Sequence, residues 1–570
     1  MEAETKELII KYAVKNAMDY GKASASSVLG KVISKLKKGS FDLDGLKRNV
    51  SDIVDYVNTM GREKLAELYK NYKSEFEEED KAKIERTSKP SMVLEGAEYG
   101  NFATRFAPEP NGFMHIGNAK AAMLSEEFSK IYNGKIFLYF DDTNPEKEKQ
   151  EYVDMIRNDT AWLGIKFAGE YFASDNLEKV YEYAKRAIEN GSAYVCTCST
   201  EAIKKNRLEM KECEHRSQSP EENMRLFDKM LSGAYGEGEA VLRFKGDMHS
   251  SNTVLRDPTL MRIKRHPHYR QGSKYIVWPT YDFNTPIMDS IHGITDAIRS
   301  KEYELRNALY YMVLDAVGLR KPRVHLEARL VIKNNITHKR VLRTLISEGK
   351  LSGYDDPRLV TIAALRRRGI QPQAIRNFVL RFGMSMSDSV VDIGMLLSEN
   401  KSIIDPIAKR LFYVENPIKL IVDNAEPMHV RLRMHPTVDM GERSYDVGRE
   451  FYISGNEQIN EGDVLRLKDL YDIRIKHIEG NVYAEKVEVQ GSEKKIQWVP
   501  ASNAIKCSVL IPGNPLNDDG SFNENSLRYS NGFIESSVKS MRKGDILQLE
   551  RFGYAIIDDI SNISMIFISK

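Results

Sequence analysis

Arg105-Phe106-Ala107-Pro108-Glu109-Pro110-Asn111-Gly112-Phe113-Met114-His115-Ile116-Gly117-Asn118 is the stretch from which the fold can be read. Ahead of it, Ala103 to Ala107 is an apolar run suited to a buried strand, and Pro108 and Pro110 then forbid further strand or helix, so a turn follows. From Gly117 onward Ala119, Ala122, Met123, Phe128 and Ile131 fall at helical spacing, and Gly134 stands where a left-handed C-terminal cap is expected. A second apolar run, Ile136 to Phe140, closes on Asp141-Asp142-Thr143-Asn144-Pro145. The pattern predicts β-loop-α-β, the opening unit of a doubly wound α/β sheet of Rossmann type.

Ligands of such sheets lie beyond the carboxyl ends of the strands, where helix starts present free backbone N–H groups. Both polar clusters, Pro108 to Asn118 and Asp141 to Asn144, fall at that edge. Gly112 and Gly117 let the backbone approach a ligand, and His115 offers a donor where a nucleotide phosphate meets the helix start. The plainer alternative is a turn of prolines and glycines with an incidental histidine. The segments R-F-x-P-E-P-N-G-x-x-H-I-G and F-D-D-T-N-P, in that order, resemble the H-I-G-H signature region of class I aminoacyl-tRNA synthetases, in the glutamyl and glutaminyl branch.

At 570 residues the chain suits roughly three to five domains. Its apolar and charged fractions, 41% and 29%, are those of a water-soluble globular protein, and a formal charge of +2 excludes a histone-like polycation while leaving room for local basic surfaces. No run reaches the roughly 18 apolar residues of a membrane helix, and Met1 to Glu7 lacks the features of a signal peptide, so a cytoplasmic protein without membrane association is expected. A monomer is expected as well. Four cysteines make no disulfide framework. Cys196, Cys198 and Cys213 crowd together with His215, which suits a tetrahedral Zn2+ site, although buried thiols beside a surface histidine fit the spacing equally well.

Residues 1–98 read as an N-terminal helical domain, with apolar spacing at Ile9, Ile10, Ala13, Val14 and Met18 and again at Val50, Ile53, Val54 and Val57. Glu75 to Asp80, running on to Lys89-Pro90, reads as a solvated helix surface and a linker. The first half of the nucleotide fold is expected over 99–192, an inserted domain over 193–279 and the second half over 280–345. A helical connector over 346–412 and an all-β region over 413–570 follow. Short alternating runs carry the last of these, among them Lys419 to Val422, Val464 to Leu467, Asp472 to Ile475, Ile496 to Val499 and Ile546 to Leu549. The run Arg262-Ile263-Lys264-Arg265-His266-Pro267-His268 suits contact with RNA phosphates or a solvated strand, and Arg366-Arg367-Arg368 before Gly369 suits helix capping or contact with tRNA.

The resemblance implies more than these patterns do. Trp278-Pro279-Thr280-Tyr281-Asp282-Phe283 and Asp289 to Glu302 resemble the second half of the synthetase fold, with the strand expected across Ile291 to Ile298. Asn335-Ile336-Thr337-His338-Lys339-Arg340 stands where the branch has its mobile M-S-K-R loop, and Tyr354 to Leu359 with Leu365 to Gly369 is similar to its D-D-P-R and L-R-R-R-G segments. Thr337 and His338 depart from Met and Ser, Asn118 from the last His of the first signature, and Glu109 from the small residue of bacterial glutamyl enzymes. The chain is therefore nearer the archaeal type, with β-barrels that read the anticodon and an inserted domain that receives the tRNA acceptor end.

By the same resemblance ATP with Mg2+ falls to Pro108, Gly112, His115, Gly117, Asn118, Lys339 and Arg340, of which His115 and Lys339 serve catalysis. L-glutamate falls to Arg105, Asp141, Tyr281, Thr285 and Arg299, and zinc to Cys196, Cys198, Cys213 and His215. Arg299 decides the amino acid: glutamyl enzymes carry an arginine eighteen residues after the pocket tyrosine, here Tyr281, and a glutamate carboxylate is bound well by a guanidinium fork, whereas a glutamine amide is not. The expected activity is charging of tRNA(Glu), with tRNA(Gln) left open as a second acceptor. A glutaminyl-tRNA synthetase and a non-catalytic tRNA-binding paralogue are the competing readings.

Overall fold

A computed structural model of the chain describes residues 3–35, 42–61, 63–73, 75–76, 92–488 and 494–570. Two compact units emerge, Met1–Pro90 and Ser91–Lys570. The boundary falls before the expected residue 98 because Leu94 is buried with Phe102, Leu124 and Phe128, and its backbone N–H is held by the Tyr132 hydroxyl at 2.9 Å.

In the first unit the helices Ala3–Tyr20, Ala25–Lys35 and Leu43–Asn58 and the helical residues 63–73 enclose Ile9, Val14, Val28, Val50, Val54 and Val57. Met18, expected on the buried face, is 38% exposed. Phe76, expected on a solvated surface, is buried against Tyr12, Tyr69 and Tyr72. The rest of that expectation, residues 77–90, lies outside the described residues.

The second unit opens with strands β1 (Ala103–Phe106), β2 (Lys135–Phe140) and β3 (Glu170–Phe172), parallel and adjacent in that order. The helix Ile116–Ile131 crosses from β1 to β2, packing Ile116, Ala119 and Met123 over Ile136, Leu138 and Phe140. Its end differs from expectation. Asn133, not Gly134, takes the left-handed conformation at φ 50°, while Gly134 is required because a β-carbon there would stand 2.1 Å from the Phe102 carbonyl oxygen.

The inserted domain is a four-stranded antiparallel sheet, β4 (Ala193–Cys196), β5 (Val241–Phe244), β6 (Thr259–Ile263) and β7 (Val277–Pro279). The helix Tyr281–Ile291 then returns the chain to the nucleotide fold, where β8 (Asp296–Ser300) and β9 (Arg323–Glu327) run parallel. The strand expected across Ile291 to Ile298 thus starts later, because Ile291 still ends the helix. Thr295 joins the two halves: its N–H donates to the Ala103 carbonyl at 2.9 Å and its hydroxyl accepts from Ala103 N–H at 2.8 Å. β1 and β8 therefore lie side by side with their connections leaving in opposite directions, and a crevice opens at their carboxyl ends.

A helical connector follows, with Ile362–Arg367, Pro372–Leu380 and Ile393–Ile404. Beyond it the chain is all-β, built on two seven-stranded sheets and a hairpin, Met428–Arg433 with Glu442–Val447. Val464–Leu467 and Ile546–Leu549 fall where alternation placed them. The expected strand Ile496 to Val499 is broken, since Trp498 turns into the first barrel core and donates its indole N–H to the Lys468 carbonyl at 2.9 Å.

Candidate active site

The crevice holds a cleft of about 1110 Å³, and the start of the helix Ile116–Ile131 forms one wall. His115 caps this helix: its Nδ1 accepts from Gly117 N–H at 3.1 Å, and Asn118 Oδ1 accepts from His115 N–H at 3.0 Å. With Nδ1 accepting, the ring proton resides on Nε2. Burial, with Lys339 beside it, lowers the imidazole to about 4, so at neutral pH His115 is an uncharged donor. Gly117 permits this bond because a β-carbon would lie 2.9 Å from His115 Cε1. Asn118, a departure from the signature by sequence, closes the cap.

Lys339 begins the helix Lys339–Ser347 and donates from Nζ to Asn111 Oδ1. Its stem lies against Gly112, where a β-carbon would stand 2.9 Å from Lys339 Cδ, and Arg343 donates to the Asn111 carbonyl at 2.8 Å. The two signature segments thus meet over the cleft. Pro108, Gly112, Gly117 and Asn118 line the cleft, whereas Arg340 is exposed outside its lining.

The opposite wall carries the remaining charges. Asp141, past the end of β2, accepts from Asn284 Nδ2 at 3.1 Å and from the Thr143 hydroxyl at 3.3 Å, and burial next to Glu109 pushes its carboxyl up to about 7. Arg105 and Arg299, the two expected cations, differ sharply. Arg105 grips Asp289 with Nε at 2.7 Å and Nη2 at 3.2 Å, Asp289 also accepts from the Tyr310 hydroxyl at 2.9 Å, and Arg105 Nη1 donates to the Ile298 carbonyl. Its charge is compensated. Arg299, on β8, is 4% exposed and donates from Nε to the Tyr281 hydroxyl at 3.2 Å and from Nη1 to Asn307 Oδ1 at 3.1 Å. Among the described residues no carboxylate pairs with it. Arg105, Asp141, Tyr281 and Arg299 line the cleft; Thr285 does not, its side chain being buried within its helix and its hydroxyl without a partner in the protein.

The sequence has relatives among known proteins. A family described as tRNA synthetases class I (E and Q), catalytic domain, matches residues 101–402, and two anti-codon binding domains of the same class match 408–491 and 495–558. The chain belongs to the class I tRNA synthetases of the E and Q type. The glutamate–tRNA ligase of Nitrosopumilus maritimus is 40% identical over 97% of this chain and 98% of its own, and that of Pyrococcus furiosus is 38% identical over 99% of each. A crystal structure of a glutamate tRNA ligase from Elizabethkingia meningosepticum is 17% identical, with a TM-score of 0.39 over 53% of this chain and 70% of that one.

The synthetase's Cys196, Cys198, Cys213 and His215 converge in the inserted domain, their ligand atoms all within 4.8 Å of one another. Cys196 Sγ and Cys213 Sγ are 3.8 Å apart, close to the separation that a tetrahedron with bonds of about 2.3 Å sets between two sulfurs. His215 Nε2 lies 2.9 Å from the Thr197 hydroxyl, a bond that leaves Nδ1, 3.5 Å from Cys198 Sγ, free to ligate. The buried Arg243 guanidinium stands 3.9 and 3.8 Å from the Cys196 and Cys213 sulfurs, a charge that favours thiolates. The donor set fits a closed zinc site.

Most cations of the synthetase's basic runs find partners within the chain, while Arg265 and His266 stay exposed. Arg262 donates to the Pro279 and Thr143 carbonyls, Lys264 pairs with Glu146 and Glu237, Arg265 donates to the Gly233 and Tyr235 carbonyls, and His268 is buried. Arg366, Arg367 and Arg368 likewise bond Asp159, Asp558 and the Ile568 carbonyl. Sequence reasoning missed Asn111, Asn284, Asp289 and Asn307. Asp289 alone carried a signal, an acid on the buried face of a helix between Phe283, Ile287 and Met288 that requires a cation.

Proposed function

We propose that the cleft activates L-glutamate with ATP and passes it to the 3′ end of tRNA(Glu), in the cytoplasm and as a monomer. The observation that carries this reading is Arg299, a buried guanidinium with no carboxylate partner among the described residues. Burying it would be costly unless a ligand supplied the missing charge, and a glutamate side chain does so where a glutamine amide would not.

Asp141 takes the substrate ammonium and Tyr281 orders the amino acid beside Arg299. The α-carboxylate is then aimed at the α-phosphorus; a carboxylate oxygen forms the new P–O bond and pyrophosphate leaves with its electron pair. No general base is needed because the nucleophile is already ionised. Charge building on the phosphate is met by His115 Nε2–H, by the positive end of the helix Ile116–Ile131 and by Lys339. Magnesium accompanies the nucleotide and neutralises its phosphates. A terminal ribose hydroxyl of the tRNA next attacks the acyl carbon and AMP leaves. The Cys196, Cys198, Cys213 and His215 set would hold a structural zinc ion that ties the acceptor-end domain together.

Charging of purified tRNA(Glu) and tRNA(Gln), each with glutamate and with glutamine, tests this. Glutamate on tRNA(Glu) is the expected product. Preference for glutamine would overturn the reading of Arg299, and absence of tRNA-dependent pyrophosphate exchange would overturn catalysis.

A further inference from the structure

We infer that Asn307 is a positioning residue for amino-acid specificity: it anchors Arg299 through a neutral amide and so leaves the guanidinium charge for the substrate. The inference rests on the reading of Arg299 given above. Asn307 is the first residue of the helix Asn307–Val317, and its Oδ1 accepts from Arg299 Nη1 at 3.1 Å. A guanidinium only donates, so the acceptor is the amide oxygen.

The rest of the cage is equally neutral. The Tyr281, Tyr303 and Tyr310 rings surround the Arg299 guanidinium at 5.4, 5.4 and 5.1 Å, and Tyr281 stacks on Tyr303 at 4.6 Å. Aromatic faces attract a cation without cancelling its charge. The adjoining Arg105 shows the alternative, since Asp289 grips it with both oxygens. Two arginines on neighbouring strands are thus held by different chemistry. The one braced by a carboxylate is a strut, and the one braced by an amide keeps its charge. Of the five N–H donors of a guanidinium, Arg299 uses two on Tyr281 and Asn307, and the remaining three suit the two oxygens of a side-chain carboxylate.

An aspartate at position 307 has the size of asparagine but would pair with Arg299 and discharge it. The folding risk is small, because an acid in the first turn of a helix is stabilising. For the full-length Asn307→Asp enzyme with tRNA(Glu), we expect the KM for glutamate to rise about 10- to 100-fold, with kcat altered far less and the preference for glutamate over glutamine reduced. Asn307→Leu removes the anchor without adding charge. It should raise the same KM by a smaller factor and keep the preference. An unchanged KM and preference in Asn307→Asp overturns the inference, as does an equal loss of preference in both variants, the sign of a merely structural role. Arg299→Ala separates the two readings. If it raises the KM for glutamate while Asn307→Asp does not, only the role of Asn307 falls; if it leaves that KM unchanged, the assignment of Arg299 falls as well.

Discussion

Lys339 reaches back 228 residues to Asn111, bonding the loop of the second signature to the turn of the first. Gly112 makes the approach possible, since the lysine stem occupies the space of a β-carbon. Gly112→Ala should push the stem aside while the flexible side chain absorbs the strain. We expect about a tenfold lower rate of pyrophosphate exchange with tRNA present, an unchanged KM for glutamate and a thermal midpoint near that of the parent. Lys339→Ala removes the ammonium itself and should cost about 10²- to 10³-fold. A Gly112→Ala enzyme at full rate would mean that the packing is incidental.

Thr285 makes the opposite case. Its hydroxyl is buried without a partner and the residue does not line the cleft. Replacing an unsatisfied buried hydroxyl by a methyl group removes a desolvation cost of about 1–3 kcal/mol. Thr285→Val should therefore hold or raise the thermal midpoint and leave the KM for glutamate untouched. A raised KM would return Thr285 to the pocket.

Asp141 is pushed up to about 7, chiefly by burial, while the Asn284 amide and the Thr143 hydroxyl pull in the other direction. A carboxylate raised this far is largely protonated below pH 7 and then attracts an ammonium weakly. The KM for glutamate should consequently climb as pH falls through about 7, with kcat less affected. Asn284→Ala removes one of the groups that favour the ionised form, so the climb should begin at higher pH. Identical pH profiles for the two enzymes would exclude this role for Asn284.

Short local patterns made part of the site legible, and the resemblance to the synthetase branch supplied Lys339. His115, Gly117 and Asn118 form a cap whose members lie within three residues of one another, and Lys339 opens a helix that its own neighbours define. Partners chosen by tertiary packing were not legible. Asn284 and Thr285 are adjacent on one helix, three and four residues beyond Tyr281, and only the rotation of that helix against β2 decides that Asn284 meets Asp141. Arg105 and Arg299 looked alike as cations because the sequence shows a charge without its partner, Asp289 in one case and Asn307 in the other. The same limit explains Arg262, which reads as an RNA contact or part of a solvated strand, and Arg368, which reads as a helix cap or tRNA contact: each donates to a carbonyl far along the chain. The barrels were recognised as a class by their alternation, but Trp498 interrupts one strand for a core position that alternation cannot reveal.

Metal analysis of the purified enzyme should find one zinc per chain. Cys213→Ser should lose it, because Cys213 is largely buried and shares the cluster with Cys196. The cluster lies in the inserted domain, so chelation or this substitution is expected to lower tRNA charging more than pyrophosphate exchange, alongside a fall in thermal midpoint. A zinc-free enzyme of normal stability and charging would reduce the cluster to packed thiols.

Arg358 bonds the segment after the helix Lys339–Ser347 to the all-β region. It is 6% exposed and holds Asp356 through Nε at 2.8 Å and Nη2 at 2.7 Å, while Nη1 reaches the Ser526 hydroxyl at 3.0 Å in the all-β region. Two residues on, the Val360 carbonyl accepts from Ile116 N–H at 3.0 Å, and Ile362 N–H donates to the Met114 carbonyl at 2.9 Å, so the same segment backs the cap that carries His115. Burial works against the Asp356 carboxylate, but its bonds to Arg358 and Ser352 hold it below the usual range. A depressed carboxyl contributes stability above its unfolded value near 4, and that stability is lost as pH falls through the lower folded value. Arg358→Met removes one partner and strands the buried acid, which typically costs about 3–5 kcal/mol. We expect a large drop in the denaturation midpoint at neutral pH that narrows as pH falls, because the stranded Asp356, raised by burial once its cation is gone, protonates in the variant and needs no partner. A loss of equal size at pH 7 and at pH 3.5 would place the effect in packing and not in the ion pair.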